Sequence, residues 1–231
     1  GATLSLGGLV FQALLRNPLA EPYILGISGG AAIGAILGIL MGLSRFPGVS
    51  LTAFTGSILT LLLILGVSSG QSILKKNSEI LSGVMVNAIC SAVIRFLVSL
   101  SRDAKLHNII FWLLGDLSLG SMDQTGMLAL LLFPCFLLFV WLSTTMNLRL
   151  LGGEMAQPRG VNIKVVTLTL LITTSFMVSA TVSQCGLIGF VGLGIPQLFR
   201  RVLVPDQRKR STASLLGGGC NIVIAPMQAS V

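Results

Sequence analysis

The chain has 231 residues, of which 53% are hydrophobic and only 10% are charged. Soluble domains carry about 25% charged residues, so this composition excludes a soluble globular protein. The net charge of +8 would suit a nucleic-acid partner. However, the basic residues lie in short segments between apolar runs, where membrane topology explains them. We therefore expect a protein embedded in a lipid bilayer, with no nucleic-acid partner.

The apolar runs predict eight membrane-spanning helices. Backbone groups in lipid must bond internally, and continuous runs of about 20 apolar residues fit helices rather than barrel strands. The predicted fold class is all-α and polytopic, with residues 1–231 forming a single transmembrane domain. We expect it to be truncated at both ends, because the chain begins inside an apolar run and its last span is weak. The predicted spans are Gly1–Leu15, Ile24–Leu43, Val49–Ser69, Glu79–Leu100, Thr125–Thr144, Val165–Ser183, Gly186–Val204 and Ser211–Met227.

The basic residues indicate which loops face the cytoplasm. Alternating spans divide the loops into two sets, and most of the fifteen lysine and arginine residues fall in one of them. By the positive-inside rule, that set is cytoplasmic. It includes residues 17–23 and the polar segment 150–164, LLGGEMAQPRGVNIK. Because this segment carries Glu154 and Arg159 between two long apolar runs, we interpret it as the place where a cytosolic partner binds.

The second span carries five glycines spaced by four residues. This spacing places them on one face of a helix, where a neighbouring helix can approach closely. We favour a structural packing contact over a direct role in substrate binding. The glycines are Gly26, Gly30, Gly34, Gly38 and Gly42.

The fourth span carries a polar stripe at the same spacing, Gly83, Asn87, Ser91 and Arg95. Polar and ionisable residues in a span usually face the bundle interior or a water-filled path, so one interpretation is that this helix lines a translocation path. The other is that Asn87 bonds a neighbouring helix, while Arg95 extends outward or pairs with Asp103 or Asp116. The sequence leaves both interpretations open.

The outer segment from Ser101 to Gln124 is predicted to be a long loop. Its Phe111 and Trp112 suit anchoring at the membrane interface, and its aspartates either meet an external partner or are simply solvated. No Walker motif, Ser/His/Asp set or metal-spaced Cys/His cluster occurs in the sequence. We therefore predict no enzyme activity, no metal site and no cofactor.

Several of these stretches resemble the permease subunit of type II ABC importers for iron-siderophores, cobalamin and haem. Each block is a weak signal alone, but together they follow the order and spacing of the family over roughly Gly1 to Leu216. The blocks are RNPLAEPYILGISGGAAIGA from Arg16, LSGVMVNAICSA from Leu81, FWLLGDLSLGSMDQ from Phe111, LGGEMAQPRGVNIK from Leu151 and GLIGFVGLGIPQLFRRVLVPDQRKR from Gly186.

The resemblance implies a homodimer of about ten spans per subunit in the bacterial cytoplasmic membrane. It implies two cytosolic ATP-binding subunits, which hydrolyse ATP, and an extracytoplasmic substrate-binding protein. It also implies that the fourth span lines the path through Asn87, Ser91 and Arg95. The implied cytoplasmic gate is Lys75, Lys76, Asn77 and Ser78, and the implied ATPase contact is Gly153, Glu154, Ala156 and Gly160.

The sequence also departs from the family pattern. Gln157-Pro158-Arg159 replaces the usual coupling pattern, and proline disfavours helix at the residue before it. Gln197 follows Pro196 where the family usually has histidine, and the first and last family spans are missing. Two alternatives therefore stay open, namely an ion-coupled secondary transporter and a non-transporting remnant of the permease.

Overall fold

The computed structural model describes residues 1–15, 17–21, 23, 26–69, 78–115, 122–150, 163–202, 213, 214 and 216–220. Over these residues the regular structure is helical throughout. An irregular turn, Arg45–Val49, leads into the third helix. The helices are α1 Ala2–Leu15, α2 Ile27–Leu40, α3 Ser50–Ser69, α4 Ser78–Leu100, α5 Asp103–Leu114, α6 Met122–Leu150, α7 Ile163–Cys185 and α8 Val191–Val202.

Within the described part of the chain, three helical stretches are long and apolar enough to cross a membrane. They are Arg45–Gly66, Gly83–Leu100 and Val165–Cys185. Three further apolar helices are shorter, namely Ala2–Leu15, Ile27–Leu40 and Leu128–Phe139. A helix rises 1.5 Å per residue, so α2 is about 20 Å long, against a hydrocarbon thickness of about 30 Å.

The α5 helix differs from the expected outer loop. Residues 103–114 are helical, and Ile109 and Trp112 are both buried. These two side chains are three residues apart, so they lie on the same side of the helix. Trp112 is only 6% exposed, which contradicts its predicted role as an interfacial anchor, whereas Phe111 is 50% exposed. The predicted loop from Ser101 to Gln124 is therefore wrong over residues 103–114, which form a helix with this short buried face.

The described residues form two compact units. One comprises Gly1–Glu21, Gly126–Met177 and Phe190–Val231. In this unit α1 is buried along nearly its whole length, from Leu4 to Leu15. Its Gly8 lies against the backbone of Gly192 on α8, and its Ser5 hydroxyl donates a hydrogen bond to the Ser214 carbonyl.

The other unit comprises Pro22–Thr125 and Val178–Gly189. It contains α2, α3, α4 and α5, and the most extensive packing between described helices joins α2 to α3. Ala31, Ala32, Ala35 and Ile36 of α2 are fully buried. Small side chains let helix backbones approach closely, which favours association where lipid offers no hydrophobic driving force.

Candidate functional site

The glycines in α2 and directly before it lie against two different helices, α3 and α4. A Cβ on Gly30 would lie 2.6 Å from the Gly56 carbonyl oxygen of α3, and a Cβ on Gly34 would overlap the Thr52 carbonyl. Gly38 also lies against Thr52. Gly26, which precedes α2 with φ +71°, instead lies beside Val86 and Asn87 of α4.

Gly42 takes no part in this contact. It follows the end of α2 with φ +76°, and no side-chain or backbone atom of the described residues lies within 4 Å of a Cβ placed there. The chain leaves the helix near Met41, whose backbone N–H bonds to the carbonyls of Leu37 and Ile39. Residue spacing alone does not reveal where a helix ends, and Gly42 lies beyond the end of α2.

Of the polar residues of the α4 stripe, Asn87 is the one whose contacts place it near α2. The Asn87 side-chain oxygen would lie 3.4 Å from a Cβ on Gly29, and Cys90 lies closer still. The half-buried Ser91 donates its hydroxyl to the Asn87 carbonyl, at 2.9 Å, within the same helix. Arg95 is exposed, and Gly83 is buried. Asn87 therefore lies at the α2–α4 contact, while Arg95 lies on an open part of the helix.

The two ends of α5 meet different parts of the same unit. Near its start, the Lys105 ammonium donates a hydrogen bond to the Leu40 carbonyl, at 2.6 Å. This carbonyl lies at the C-terminus of α2, where a positive charge is favourable. At the other end, a Cβ on Gly186 would overlap the Trp112 carbonyl, and Gly186 has φ +75°. Glycine adopts this left-handed conformation without strain, so the close approach depends on it.

The turn that follows α7 is bonded to the segment that precedes α2. The Tyr23 hydroxyl donates to the Ile188 carbonyl, at 2.6 Å. Tyr23 and Lys105 are contacts that sequence reasoning missed, because neither residue belongs to a periodic pattern. No sequence pattern connects Lys105 with Leu40 or Tyr23 with Ile188, so neither bond had a signal in the sequence.

Two predicted sites fall largely outside the described residues. The predicted gate residues Lys75, Lys76 and Asn77 lie there, and Ser78 is the first residue of α4. The predicted ATPase contact, Gly153, Glu154, Ala156 and Gly160, lies there as well.

Comparison with known proteins identifies the family. The sequence matches the FecCD transport family over residues 1–231. The chain belongs to this family. It is 33% identical to the vitamin B12 import system permease protein BtuC of Salmonella typhi, over 99% of this chain and 70% of that protein. The same protein of Salmonella typhimurium is 32% identical over the same shares.

A solved structure is also similar to this FecCD chain. It is an inward-facing conformation of a metal-chelate type ABC transporter, with a TM-score of 0.88 and 28% sequence identity. The match covers 97% of this chain and 72% of that one. The predicted all-α permease fold and the predicted family are thus confirmed. The FecCD chain is a multi-pass membrane protein and the permease component of an ABC importer.

Proposed function

We propose that this chain carries a metal chelate across the bacterial cytoplasmic membrane, in the class that includes cobalamin, ferric siderophores and haem. The observation that supports this most strongly is the family match over residues 1–231. The BtuC relatives, named as vitamin B12 permeases, and the structural neighbour, named as a metal-chelate transporter, support the same substrate class.

We further propose that the chain works as a homodimer with two cytosolic ATP-binding subunits and an extracytoplasmic binding protein. The sequence contains no nucleotide-binding motif of its own, so in this proposal the two partner subunits bind and hydrolyse the ATP that drives uptake. We assign the contact with the ATP-binding subunits to the polar segment 150–164. The contacting residues would be Gly153, Glu154, Ala156 and Gly160. A ligand shifts a conformational equilibrium only through different contacts in its two states, and this segment would supply them.

We assign the translocation path to α4. Asn87 and Ser91 are half-buried polar residues of a largely apolar helix, and Arg95 follows Ser91 one turn later. Polar residues at membrane depth are costly and are usually retained for a path or an interhelical bond. The proximity of Asn87 to Gly29 is consistent with either role in the static structure. A path role requires Asn87 to become accessible to water in some state of the transport cycle.

An ion-coupled secondary transporter is not favoured. Such a transporter is expected to carry carboxylates within its spans. Of the seven acidic residues of the sequence, Glu79, Asp103 and Asp123 lie in the first turns of α4, α5 and α6, and the other four, Glu21, Asp116, Glu154 and Asp206, fall outside the eight spans predicted from the sequence.

Uptake in cells tests the proposed substrate class. The gene is expressed together with genes for the proposed ATPase and binding-protein partners in a bacterium lacking its own cobalamin, siderophore and haem permeases. Accumulation of one radiolabelled chelate, abolished by omitting the ATPase gene, is the expected result. If none of the three chelates accumulates although the assembled complex is recovered from the membrane, the substrate class is wrong.

A further inference from the structure

Phe190 has a backbone conformation that is unusual for a bulky residue. Its φ is +71°, in the left-handed region that L side chains rarely adopt. Its side chain is 77% exposed, so burial of the ring does not explain this conformation. Strained backbone of this kind persists only where surrounding contacts impose it.

The contact that holds Phe190 comes from far away in the sequence. Its backbone N–H donates a hydrogen bond to the Glu21 carboxylate, at 3.0 Å. Both residues belong to the same compact unit. This bond is exposed to solvent, but its acceptor is ionised, and hydrogen bonds to ionised groups are stronger than those between neutral groups. The carboxylate therefore restrains the Phe190 peptide.

Phe190 directly precedes the first residue of α8, Val191. Its carbonyl accepts the backbone N–H groups of Leu193, at 3.2 Å, and Gly194, at 2.8 Å. The next residues matter for packing, because Gly192 lies backbone to backbone against Gly8 of α1. The first turn contains two glycines and the helix contains Pro196, so α8 is intrinsically a poor helix. Its start therefore depends on how the Phe190 peptide is held.

The charge of Glu21 acts in the same direction. A carboxylate at a helix N-terminus interacts favourably with the helix dipole and with the unpaired N–H groups there. In a capping box, a residue of the same helix bonds the N-cap N–H. Here the α1–α2 connection supplies the carboxylate, so the start of α8 is tied to the chain leaving α1.

We propose that Glu21 and Phe190 form a latch that positions the first turn of α8 against α1 for transport. This inference rests on the proposed function and adds a positioning residue to it. With the latch closed, Phe190 keeps its left-handed conformation and Gly192 stays against Gly8. With the latch open, Phe190 relaxes to an ordinary φ and the first turn of α8 loses its fixed place. The latch thus gives the helix two discrete arrangements.

Three variants separate a latch from an ordinary surface hydrogen bond. Glu21→Ala removes the acceptor. Phe190→Gly removes the strain, because glycine adopts positive φ readily. Phe190→Ala removes the ring but keeps the strain, and is the matched control. Glu21→Ala is then combined with each change at Phe190. The double variants show whether residue 190 still needs the Glu21 hydrogen bond once it can adopt positive φ without strain.

The variants are measured in nanodiscs by hydrogen exchange at Leu193 and Gly194, and in cells by chelate uptake. Glu21→Ala is expected to speed exchange and slow uptake by roughly tenfold, the scale of one charge-assisted hydrogen bond. Adding Phe190→Gly is expected to restore most of both properties, whereas adding Phe190→Ala is not. The exchange measurement does not depend on the identity of the substrate.

The latch is overturned if Glu21→Ala leaves exchange unchanged, or if Phe190→Gly rescues no better than Phe190→Ala. Absence of uptake by the unmodified complex, with the exchange pattern as expected, contradicts the proposed function and leaves the latch standing. Normal uptake by the unmodified complex, with no rescue by glycine, contradicts only the latch.

Discussion

Gly34 of α2 lies so close to Thr52 of α3 that a Cβ on Gly34 would overlap the Thr52 carbonyl. The obstructing atoms belong to the backbone, so no side-chain rotation relieves the overlap. The two helices must separate to admit even one methyl group. Gly30 has a similar relationship with Gly56, so the contact extends over more than one helical turn.

Gly34→Ala should therefore destabilise the protein. Overpacking a close contact costs about 1–3 kcal/mol, and a rigid backbone contact belongs at the upper end. Thermal unfolding of the purified protein in detergent measures the loss. Gly66→Ala is the matched control, because no neighbouring atom among the described residues lies within 4 Å of a Cβ on that α3 residue. Equal melting temperatures for the two variants would refute the close α2–α3 contact.

Gly186→Ala should be more harmful than Gly189→Ala in the same turn. A Cβ on Gly186 meets the Trp112 carbonyl, and its φ of +75° strains any L residue. The left-handed conformation alone costs roughly 1–2 kcal/mol. At Gly189 the nearest neighbouring atom is a ring carbon of Tyr23, 3.9 Å away. The rates of limited trypsin digestion of the two variants are compared. Similar rates would contradict the close contact between Gly186 and the Trp112 carbonyl at the end of α5.

Lys105 should stabilise the end of α2. Lys105→Met keeps the aliphatic length but removes the charge and the bond to the Leu40 carbonyl. The expected cost is about 1–2 kcal/mol, from one charge-assisted bond and the helix dipole. Lys105→Arg should retain most of the stability, and Arg102→Met, at an exposed position, should change little.

Hydrogen exchange at Met41 and Gly42 measures the stability of the C-terminal end of α2. No difference between the Met and Arg variants at position 105 would mean that the bond is unimportant.

If α4 lines the translocation path, water should reach Asn87 and Ser91. In a background with the four natural cysteines replaced, Asn87→Cys and Ser91→Cys should react with a water-soluble thiol reagent in at least one state of the ATP cycle. Phe96→Cys is the control, because Phe96 is 66% exposed and apolar, as expected for a lipid-facing position. If neither polar position reacts in any state, α4 does not line a conduit and Asn87 serves the α2–α4 contact.

The apolar runs and the glycine spacing predicted much of the fold, for physical reasons. Long apolar runs must be helical in lipid, which places α3, α4 and α7 correctly. The spacing of Gly30, Gly34 and Gly38 places them on one face, and all three lie against α3.

The rest depends on tertiary contacts that have no local signature. The α5 helix is amphipathic only over Ile109 and Trp112, too short a pattern to distinguish from a loop. The bonds of Glu21 to Phe190 and of Tyr23 to Ile188 each join positions more than 160 residues apart. No periodic rule connects such positions, so only the folded chain reveals them.

The most direct test of the account is chelate uptake by reconstituted vesicles containing this chain, its ATPase and its binding protein. Labelled chelate should accumulate only when ATP is supplied to the ATPase side, and an ionophore that dissipates ion gradients should have no effect. Glu154→Ala should leave the complex assembled and ATP hydrolysis measurable, while uptake falls to background. Uptake that persists without ATP, or that Glu154→Ala leaves unchanged, would contradict the claim that the permease is driven through segment 150–164.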